Sequence, residues 1–395
     1  MKIGVVAYRF NHYSYRRNII DMVPGIRYQK AKDLFGRINA TARLFNRIAG
    51  REVISTFDLN NQFFDFNLNR IDLLHLFNGI SYGHTPWVST FETILPRFSS
   101  IIDVTREYHP GYITDWKLHF AFEALAGPRC KRIIAMSGCA ANIQRVLLEK
   151  FSDYKEGIEG KLIVIHPPQE LFVSRFEDKQ VDLGGPLRFM FVGSAFFRKG
   201  GFEILDTFRL LREKYHYDLE LIIVSDIHPD GYAVPASAES INMVEAILRE
   251  PPGWLKYYPR LPNPQVLNLM KQAHIGLLPT YADSYGYSVL EFQASGCPVI
   301  TTNVRALPEI NDNERGWVID VPKNSLGEAL YTTANDRQMI SDAIHAGLEK
   351  IVHDIYHDRS VIIKKGDQSI LNIKSHHSPL DFSTRMIKIY QDAIG

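Results

Sequence analysis

The sequence predicts an α/β protein made of two doubly wound, Rossmann-like domains that face a cleft. A chain of 395 residues with 45% hydrophobic content is longer than a single core organises. Short apolar runs rich in β-branched residues alternate with segments of helical periodicity, which is typical of parallel sheets covered on both faces. A polar segment that ends in Gly184-Gly185-Pro186 divides these runs into two series.

Each series is expected to form one sheet. The first series predicts strands at residues 2–8, 72–77, 101–104, 132–137 and 162–166, and the second predicts strands at 187–193, 219–225, 275–280, 298–303 and 317–321. The first domain then covers residues 1–170 and the second covers 187–375, joined by a connector. Residues 364–378 are expected to be a polar tail. A helix at 382–395, with Met386, Ile389, Tyr390 and Ala393 on one face, is expected to pack back on the first domain.

Composition excludes several classes of protein. Lys and Arg number 45 against 44 Asp and Glu, so the net charge of +1 gives no general attraction to nucleic acid. Three cysteines, far apart, predict neither a disulfide framework nor a zinc site and fit a reducing compartment. No apolar run reaches 18 residues, and the start lacks the apolar core of a secretory signal. We therefore expect a cytoplasmic protein, or one resting on the cytoplasmic face of a membrane.

The segment 191–201, which reads FVGSAFFRKGG, is a first candidate site. It places a strand, small residues, two cations and two glycines ahead of a helix. Glycines let backbone amides approach an anion closely, and Arg198 and Lys199 supply positive charge for a phosphate. The glycine spacing fits neither a dinucleotide-binding fingerprint nor a P-loop. Taken alone, an ordinary loop with a solvated Arg-Lys pair explains it equally well.

The segment 280–291, which reads TYADSYGYSVLE, is a second candidate site. Asp283 follows a predicted strand, at the end where α/β folds bind ligands, and Glu291 lies about one turn into the next helix. The amides of Gly286, Tyr287 and Ser288 would lie at the helix N-terminus, where an anion is favoured. The alternative is a capping box, in which Glu291 only satisfies the amide of Ser288.

Together, the cation pair and the carboxylate pair predict a pocket for a nucleotide sugar, and at these residues the sequence resembles a known family. Residues 187–321 are similar to the donor domain of retaining glycosyltransferases of the GT-B fold, specifically glycosyltransferase family 4. The matching segments are FVG...RKGG, ADSYGYSVLEFQASGCPVITT, LPEI at 307–310 and GWVIDVP at 316–322. Weaker matches at 132–137 and 163–168 extend the resemblance over most of the chain after about residue 130.

The resemblance implies roles for individual residues. Asp283 matches the acid that contacts the donor sugar hydroxyls, and Glu291 matches the acid that holds the ribose hydroxyls. Arg198 and Lys199 match the cations on the pyrophosphate. Further donor-binding residues implied by position are Gly193, Ser194, Tyr285, Gly286, Tyr287 and Ser288, with Tyr258 and Arg260 in a loop near the nucleobase. The resemblance also implies retention of anomeric configuration and no metal or other cofactor.

The sequence departs from the family pattern at several places. Asp283 is one methylene shorter than the usual Glu, and Ser194 stands where many members have Arg. The loop after the first strand lacks the usual glycine pair. Where members often have His-Asp in the first domain, this chain has Phe91-Glu92, so Glu92 is a candidate on the acceptor side.

The function predicted from these residues is the transfer of a sugar, of hexosyl type, from a nucleoside diphosphate sugar to an acceptor hydroxyl. Such a reaction belongs to polysaccharide or glycoconjugate biosynthesis. A carboxylate pair alone would also suit a glycosidase, but the adjacent cations favour a phosphate-bearing donor. Two alternatives stay open: a nucleotide-sugar epimerase or hydrolase on the same scaffold, and a non-enzymatic, two-lobed sugar-binding protein.

Residues 34–51 form a basic amphipathic pattern, within a segment, 1–70, that holds 12 Lys and Arg against 5 Asp and Glu. Leu34, Ile38, Ala42, Phe45 and Ile48 share one face, and Arg37, Arg43, Arg47 and Arg51 cluster on another. The pattern suits docking to anionic lipid or to a lipid-linked or phosphorylated acceptor. It also describes a crossover helix packed on the first sheet, and we favour this second interpretation because any helix of an α/β fold needs an apolar stripe. The stretch 78–91, with His84 and Trp87, would be either part of an acceptor cleft or a surface loop.

Overall fold

The computed structural model describes residues 1–54, 56–102, 115–179, 181–227, 233–234 and 236–395. These residues form two compact units. The first comprises residues 1–168 and 379–395, and the second comprises 169–378. Among the described residues, no helix combines the length and the apolar character that crossing a bilayer requires.

The first unit is built on a six-stranded parallel sheet, in the order β2-β1-β4-β6-β7-β8. Its strands are β1 (Lys2–Val6), β2 (Arg27–Ala31), β4 (Leu73–Phe77), β6 (Trp87–Phe91), β7 (Cys130–Ala135) and β8 (Leu162–Val164), while β3 (Gln62–Phe63) and β5 (Ile80–Ser81) form a separate pair. The helices between them are α1 (Tyr13–Asn18), α2 (Leu34–Ala49), α3 (Ser99–Ile102), α4 (Trp116–Ala126), α5 (Gly138–Leu148) and α6 (Ser152–Glu159).

The second unit is also built on a six-stranded parallel sheet, in the order β11-β10-β9-β12-β13-β14. Its strands are β9 (Leu187–Val192), β10 (Leu219–Val224), β11 (Leu255–Tyr258), β12 (Ile275–Leu278), β13 (Val299–Thr302) and β14 (Trp317–Ile319). Its helices are α7 (Gly201–Glu213), α8 (Ala238–Arg249), α9 (Asn263–Gln272), α10 (Tyr287–Ala294), α11 (Leu307–Ile310), α12 (Ala334–His357) and α13 (Ser360–His376). The chain then returns to the first unit in α14 (Pro379–Ile394).

Both sheets have the doubly wound arrangement that near-continuous apolar strands predict. Every residue of β4, β12 and β13 is buried, because helices cover both faces of each sheet. In the second sheet the strand order reverses between β9 and β12, which are hydrogen-bonded neighbours. Loops that leave two strands on either side of such a reversal create a crevice where ligands bind. The predicted class of two Rossmann-like domains is therefore confirmed.

The connector at 169–186 belongs to the second unit, whereas the sequence predicted that the second domain begins at residue 187. Phe172 donates its amide to the carbonyl of Ala294 at 2.9 Å. Lys179 is buried and donates through Nζ to the carbonyl of Ser295, just after the end of α10, at 2.7 Å. A cation is stabilised at a helix C-terminus, so this segment is anchored rather than free.

Helix α14 packs on the first sheet. Met386, Ile389, Tyr390 and Ala393 share a core with residues of β1, β4, β6 and β7. The hydroxyl of Tyr390 lies 2.7 Å from Nδ1 of His75, and both side chains are fully buried. This hydrogen bond satisfies two polar groups that burial would otherwise penalise.

Two local predictions were wrong, and so was the surface-loop alternative for residues 78–91, whereas the acceptor-cleft alternative for that stretch stays a prediction. Residues 101 and 102 lie in α3 instead of a strand, and residues 103–104 lie outside the described ranges; a short apolar run does not distinguish the two structures. The stretch 78–91 contains the buried strand β6, whose Ser89 is satisfied by a 2.8 Å hydrogen bond to the carbonyl of Gly79. The expected polar tail at 364–378 is mostly helix α13, and His377 is buried.

The expectation that α2 packs its apolar face on the first sheet was also wrong. Only Asn39 and Ala42 of this helix are buried. Ile38, Phe45 and Ile48 are 40%, 49% and 77% exposed. Asn39 hydrogen-bonds Asn60, and α2 packs on the turn at 58–61 and on β3, with Asn39 and Ala42 as its buried residues.

Candidate active site

The loop after β9 carries the first candidate motif. It turns at Ala195, whose φ of 67° lies in the left-handed region that favours glycine, a strain found mostly at functional sites. Gly200 has a φ of 79° and lies against the carbonyl of Pro279, leaving no room for a side chain. At Gly193, a side chain would overlap the stem of Lys199. The glycines therefore let this loop approach the loop after β12.

Hydrogen bonds join the two loops directly. The amide of Tyr281 donates to the carbonyl of Arg198 at 2.9 Å, and Nη1 of Arg198 donates to the carbonyl of Ala282 at 2.6 Å. The hydroxyl oxygen of Thr280 lies 3.2 and 3.0 Å from the carbonyl oxygens of Arg198 and Ala282, which are both within reach of its single proton. Each candidate motif is thus held in place by the other, at the point where the strand order reverses.

The charges of the two motifs meet in an ion pair. Nζ of Lys199 lies 3.1 Å from Oδ2 of Asp283, and the two side chains are 16% and 13% exposed. Oδ1 of Asp283 accepts the amides of Tyr285 and Gly286 at 3.1 and 2.9 Å. Asp283 therefore fixes the shape of its own loop as well as the position of the lysine.

This environment keeps Asp283 ionised. Burial alone would raise the pKa of the carboxyl group, but the ammonium of Lys199, the amide of Tyr285 and the guanidinium of Arg198 together hold the pKa below its ordinary value. An ionised carboxylate has about four lone-pair positions. Within the described part of the chain, two amides and one ammonium use three of them, which leaves one for a ligand hydroxyl.

Helix α10 begins directly after this loop. Gly286, with a φ of 91°, is its N-cap residue, and no side chain of a described residue caps the helix. The capping-box interpretation of Ser288 and Glu291 is therefore wrong, because Ser288 lies inside the first turn. The hydroxyl oxygen of Ser288 is buried and has no hydrogen-bond partner among the described residues. Amides in the first turn of a helix have no intrahelical acceptor, and the helix dipole places partial positive charge at this end. The hydroxyl of Ser288 therefore lies where an anion is favoured.

The other candidate residues near α10 differ in how deeply they are buried. Tyr285 is 1% exposed, and Tyr287 and Glu291 are half-buried. The rings of Tyr285 and Tyr287 have centroids 5.6 Å apart. The amide of Gly286 is already used by Asp283, so the first helical amides are those of Tyr287 and Ser288.

A buried carboxyl group behind the site was missed by the sequence analysis. Glu203, on α7, is 4% exposed and accepts hydroxyl hydrogen bonds through Oε1 from Tyr281 at 2.6 Å and from Ser341 at 3.0 Å. Burial raises its pKa, although these hydrogen bonds oppose the shift. The signal was available, since Glu203 shares a helical face with Thr207 and Leu211, both buried.

Three other predicted donor residues lie in the loop after β9 and at the end of β11. Ser194 is exposed in the loop after β9. Tyr258 ends β11 and Arg260 follows it, two strands away from β9 in the sheet. Neither of these two side chains forms a hydrogen bond or an ion pair with a described residue.

Glu92, the acceptor-side candidate, lies just after β6 in the first unit. Its carboxylate forms an ion pair with Arg97 at 2.5 Å and accepts a hydrogen bond from Nδ2 of Asn78 at 3.2 Å. Its amide donates to Oδ1 of Asn78 at 3.1 Å. Arg97 therefore balances the charge of this carboxylate, and Arg97 and Asn78 together fix its orientation at the carboxyl end of the first sheet.

Part of this chain is similar to known glycosyltransferases. Residues 173–350 match the family model for glycosyl transferases group 1. Over 174 residues the chain is 24% identical to D-inositol 3-phosphate glycosyltransferase of Paenarthrobacter aurescens, covering 42% of this chain and 41% of that protein. Over 121 residues it is 26% identical to O-antigen chain mannosyltransferase B of Escherichia coli, covering 31% and 30%. The chain thus matches less than half the length of these curated relatives.

Solved structures are similar over far more of the chain. A glycosyltransferase from Rickettsia africae has a TM-score of 0.59 at 14% identity, covering 100% of this chain and 98% of its own. Sucrose-phosphate synthase from Thermosynechococcus elongatus has a TM-score of 0.61 at 12% identity, covering 99% and 98%. Anabaena HepE, solved with UDP and glucose, has a TM-score of 0.52 at 13% identity, covering 92% and 85%. The chain therefore has the GT-B fold, and its residues 173–350 match the group 1 glycosyltransferases.

Proposed function

We propose that this chain transfers a sugar from a nucleoside diphosphate sugar to an acceptor hydroxyl, as the family 4 glycosyltransferases do. The observation that carries the proposal is the contact between Lys199 and Asp283, 3.1 Å apart at the reversal of the second sheet. A pocket for an activated sugar needs cations for the diphosphate beside acids for the hydroxyls. The match of residues 173–350 to glycosyl transferases group 1 supports the same conclusion.

Arg198 and Lys199 are proposed to stabilise the diphosphate as it leaves. Cleavage of the sugar–phosphate bond places negative charge on the distal phosphate while the sugar ring becomes oxocarbenium-like, so groups aimed at that phosphate lower the barrier. The ammonium of Lys199 has three donors, of which the ion pair uses one. The amides of Tyr287 and Ser288 and the unpartnered hydroxyl of Ser288 would complete the phosphate contacts.

The two acids are proposed to hold the two sugars of the donor. Asp283 has one lone-pair position left for a hydroxyl of the transferred sugar, and Glu291 would bind the ribose hydroxyls from α10. Tyr258 and Arg260 are proposed to lie near the nucleobase. Ser194, Gly193 and Tyr285 would shape the surrounding pocket.

The stereochemistry proposed is retention, with a hexose as the transferred sugar. Substitution on one face of the ring lets the departing phosphate help to deprotonate the acceptor hydroxyl. Charge stabilisation by Arg198, Lys199 and the helix amides would then make a metal ion unnecessary. Glu92 is proposed to contact the acceptor from the first unit.

Incubation with a panel of nucleotide sugars, with and without hydroxyl acceptors, tests this function. We expect release of nucleoside diphosphate that depends on both donor and acceptor. Release without an acceptor hydroxyl would favour a hydrolase, and a rearranged donor without release would favour an epimerase. Donor binding without any turnover on the whole panel would favour a non-enzymatic binding protein. Each of these three results contradicts the proposal.

Two variants test the site assignment. Glu291→Gln and Lys199→Ala should each lower donor turnover by at least about tenfold, because each removes a charged contact to the donor. Lys350→Ala is the matched control, since this lysine lies in the same unit with its side chain 77% exposed. Normal transfer rates in both site variants would show that the assignment is wrong.

We also propose that α2 docks on an anionic membrane surface, which would place the chain on the cytoplasmic face. Ile38, Leu44, Phe45 and Ile48 project to solvent from this helix, in which only Asn39 and Ala42 are buried. Arg43, Arg47 and Arg51 line a shallow depression beside them. An apolar face flanked by arginines suits the boundary between acyl chains and anionic headgroups.

Co-sedimentation with vesicles tests this membrane contact. We expect binding to vesicles that contain phosphatidylglycerol and little binding to pure phosphatidylcholine, and Ile48→Ser should weaken the binding. Leu380→Ser is the control, because Leu380 is 73% exposed on α14 of the same unit. Equal sedimentation with both kinds of vesicle would remove the proposal.

A further inference from the structure

A second pocket lies in the first unit, at the amino ends of β6 and β7. Its volume is about 240 Å³, and its walls come from residues 81–84, from the last turns of α4 and from the turn at 127–129. The amide of Trp87 donates to the carbonyl of Arg129 at 2.9 Å, which ties two sides of the pocket together. Open α/β sheets bind their substrates at the carboxyl ends of the strands. This pocket is at the opposite edge of the first sheet from Glu92, and its walls contain none of the candidate donor residues, which belong to the second unit.

Three aromatic side chains form much of the pocket. The rings of Tyr82 and Phe120 are stacked, with centroids 4.7 Å apart and an interplanar angle of 18°. Trp87 is fully buried beside them, whereas Phe120 is 50% exposed. The stack fixes the orientation of an aromatic ring that solvent can still reach.

Three exposed polar side chains also line the pocket. His84, Glu123 and Arg129 line the pocket, and none of their side chains has an ion-pair or hydrogen-bond partner in the described part of the chain. The indole N–H of Trp87 is buried and also lacks a partner there. An acceptor-only carboxylate and a donor-only guanidinium at one pocket can bind a ligand that both donates and accepts hydrogen bonds.

A pyranose ring has this combination of groups. One face of the ring presents C–H bonds, which the negative face of an aromatic ring attracts, and its edge carries hydroxyls that both donate and accept. The volume is below the range of about 300–1,000 Å³ that is typical of sites for larger ligands, which fits a single ring. A purely apolar ligand would make no use of the exposed Glu123 and Arg129.

We propose that this pocket binds one sugar residue of a saccharide, independently of the donor site. Phe120 contributes the stacking surface, and Glu123 and Arg129 bind the hydroxyls. Such a site would hold a glycan on the first unit while the proposed transfer takes place elsewhere. It does not take part in the chemistry of transfer.

Saturation-transfer NMR on the full chain tests the proposal with four probes: the methyl pyranosides of glucose, galactose, mannose and N-acetylglucosamine. We expect saturation transfer to at least one of them. Phe120→Ala and Glu123→Gln should each weaken that binding about tenfold, because each removes a principal contact. Phe66→Ala and Glu149→Gln are the matched controls in the same unit. Phe66 is 58% exposed, and the side chain of Glu149 is 61% exposed.

The same titration in the Lys199→Ala variant separates this site from the donor site. Binding that persists in this variant supports the proposal, even if the proposed transfer activity proves wrong. Binding that is lost in this variant, or that survives both Phe120→Ala and Glu123→Gln, would overturn it. Absence of saturation transfer to all four probes would also overturn it.

Discussion

The two sheets of this chain differ most at the points where their strand orders reverse. In the second unit, between β9 and β12, the loops bring together Arg198, Lys199 and Asp283. In the first unit, between β1 and β4, the hydroxyl of Tyr15 accepts the amide of Phe77 at 3.1 Å inside an aromatic core. The same architecture therefore supports a charged site in one unit and a structural contact in the other, because function resides in the loops.

Carboxylates at the ends of the strands also differ between the units. Asp283 pairs with the ammonium of Lys199 and accepts two amides of its own loop. Among the described residues, this keeps one acceptor position open. Glu92 is bound by Arg97 and Asn78, which leaves it oriented and neutralised. We therefore expect substitutions in the second unit to affect turnover more than substitutions in the first.

The largest effect is expected for the ion pair. Lys199→Ala and Asp283→Asn should each lower turnover at least about tenfold, and the double variant should lose little more than the worse single variant, since the two residues act as one unit. Initial rates of the four proteins in a double-mutant cycle measure this coupling. Losses that simply multiply would mean that the two residues act separately.

A smaller effect is expected when Glu203, which hydrogen-bonds Tyr281 of the site loop, is substituted. Glu203→Ala leaves the hydroxyls of Tyr281 and Ser341 without their acceptor, which should cost about 1–3 kcal/mol of stability and lower kcat. Glu203→Gln keeps an acceptor oxygen and should retain turnover. Thermal unfolding and initial rates of both variants check this pair. Equal loss in both variants would show that the charge of Glu203, and not its hydrogen bonds, is required.

The pH dependence of Glu203 follows from the same burial. Its pKa is raised in the folded chain, so the folded state binds the proton more tightly than the unfolded state does. Its contribution is complete below the ordinary pKa of the group and is lost as pH rises through the raised value. Thermal unfolding scans from pH 5 to pH 9 should show a decline in the wild type that Glu203→Gln reduces. A steeper decline in the variant would contradict this sign.

In the first unit, Glu92→Gln should reduce transfer by less than about tenfold, because the amide keeps hydrogen-bonding capacity and the lost charge was already neutralised by Arg97. Donor binding, measured by calorimetry, should be unchanged. Weaker donor binding in this variant would place Glu92 in the donor site instead.

The smallest effect on turnover is expected on α2. Phe45→Ser and Ile48→Ser should leave transfer to a water-soluble acceptor unchanged and shift stability by no more than about 0.5 kcal/mol, because both residues are exposed. Phe208→Ser on α7 is the contrasting variant, since Phe208 is fully buried and large-to-small changes of buried Phe cost about 3–5 kcal/mol. Denaturant unfolding compares the three variants. A large loss at Ile48 would mean that α2 is buried in solution.

The contact between the two candidate motifs could be predicted because it depends on local pattern. Glycines, cations and acids directly after apolar strands indicate loops at the carboxyl edge of a sheet, and the structure places Lys199 against Asp283. Glu203 was missed because an isolated acid on a helix is usually solvated. The only local signal of its burial was its helical register with the buried residues Thr207 and Leu211.

Packing decided the features that the sequence left open. An amphipathic pattern such as that of α2 does not say which side faces the core, and here the polar Asn39 is buried while Ile48 is exposed. Strand β6 was hidden by Ser89 and Thr90, whose hydroxyls are satisfied only by tertiary partners. Such outcomes depend on long-range contacts that no window of sequence contains.

A crystal structure with a bound nucleoside diphosphate, chosen from UDP, GDP, ADP and dTDP by its affinity, tests the central claim most directly. We predict its distal phosphate within hydrogen-bonding distance of Lys199, with the amides of Tyr287 and Ser288 beside it and the ribose hydroxyls on Glu291. A diphosphate bound without contact to Lys199, Ser288 or Glu291 would contradict the account.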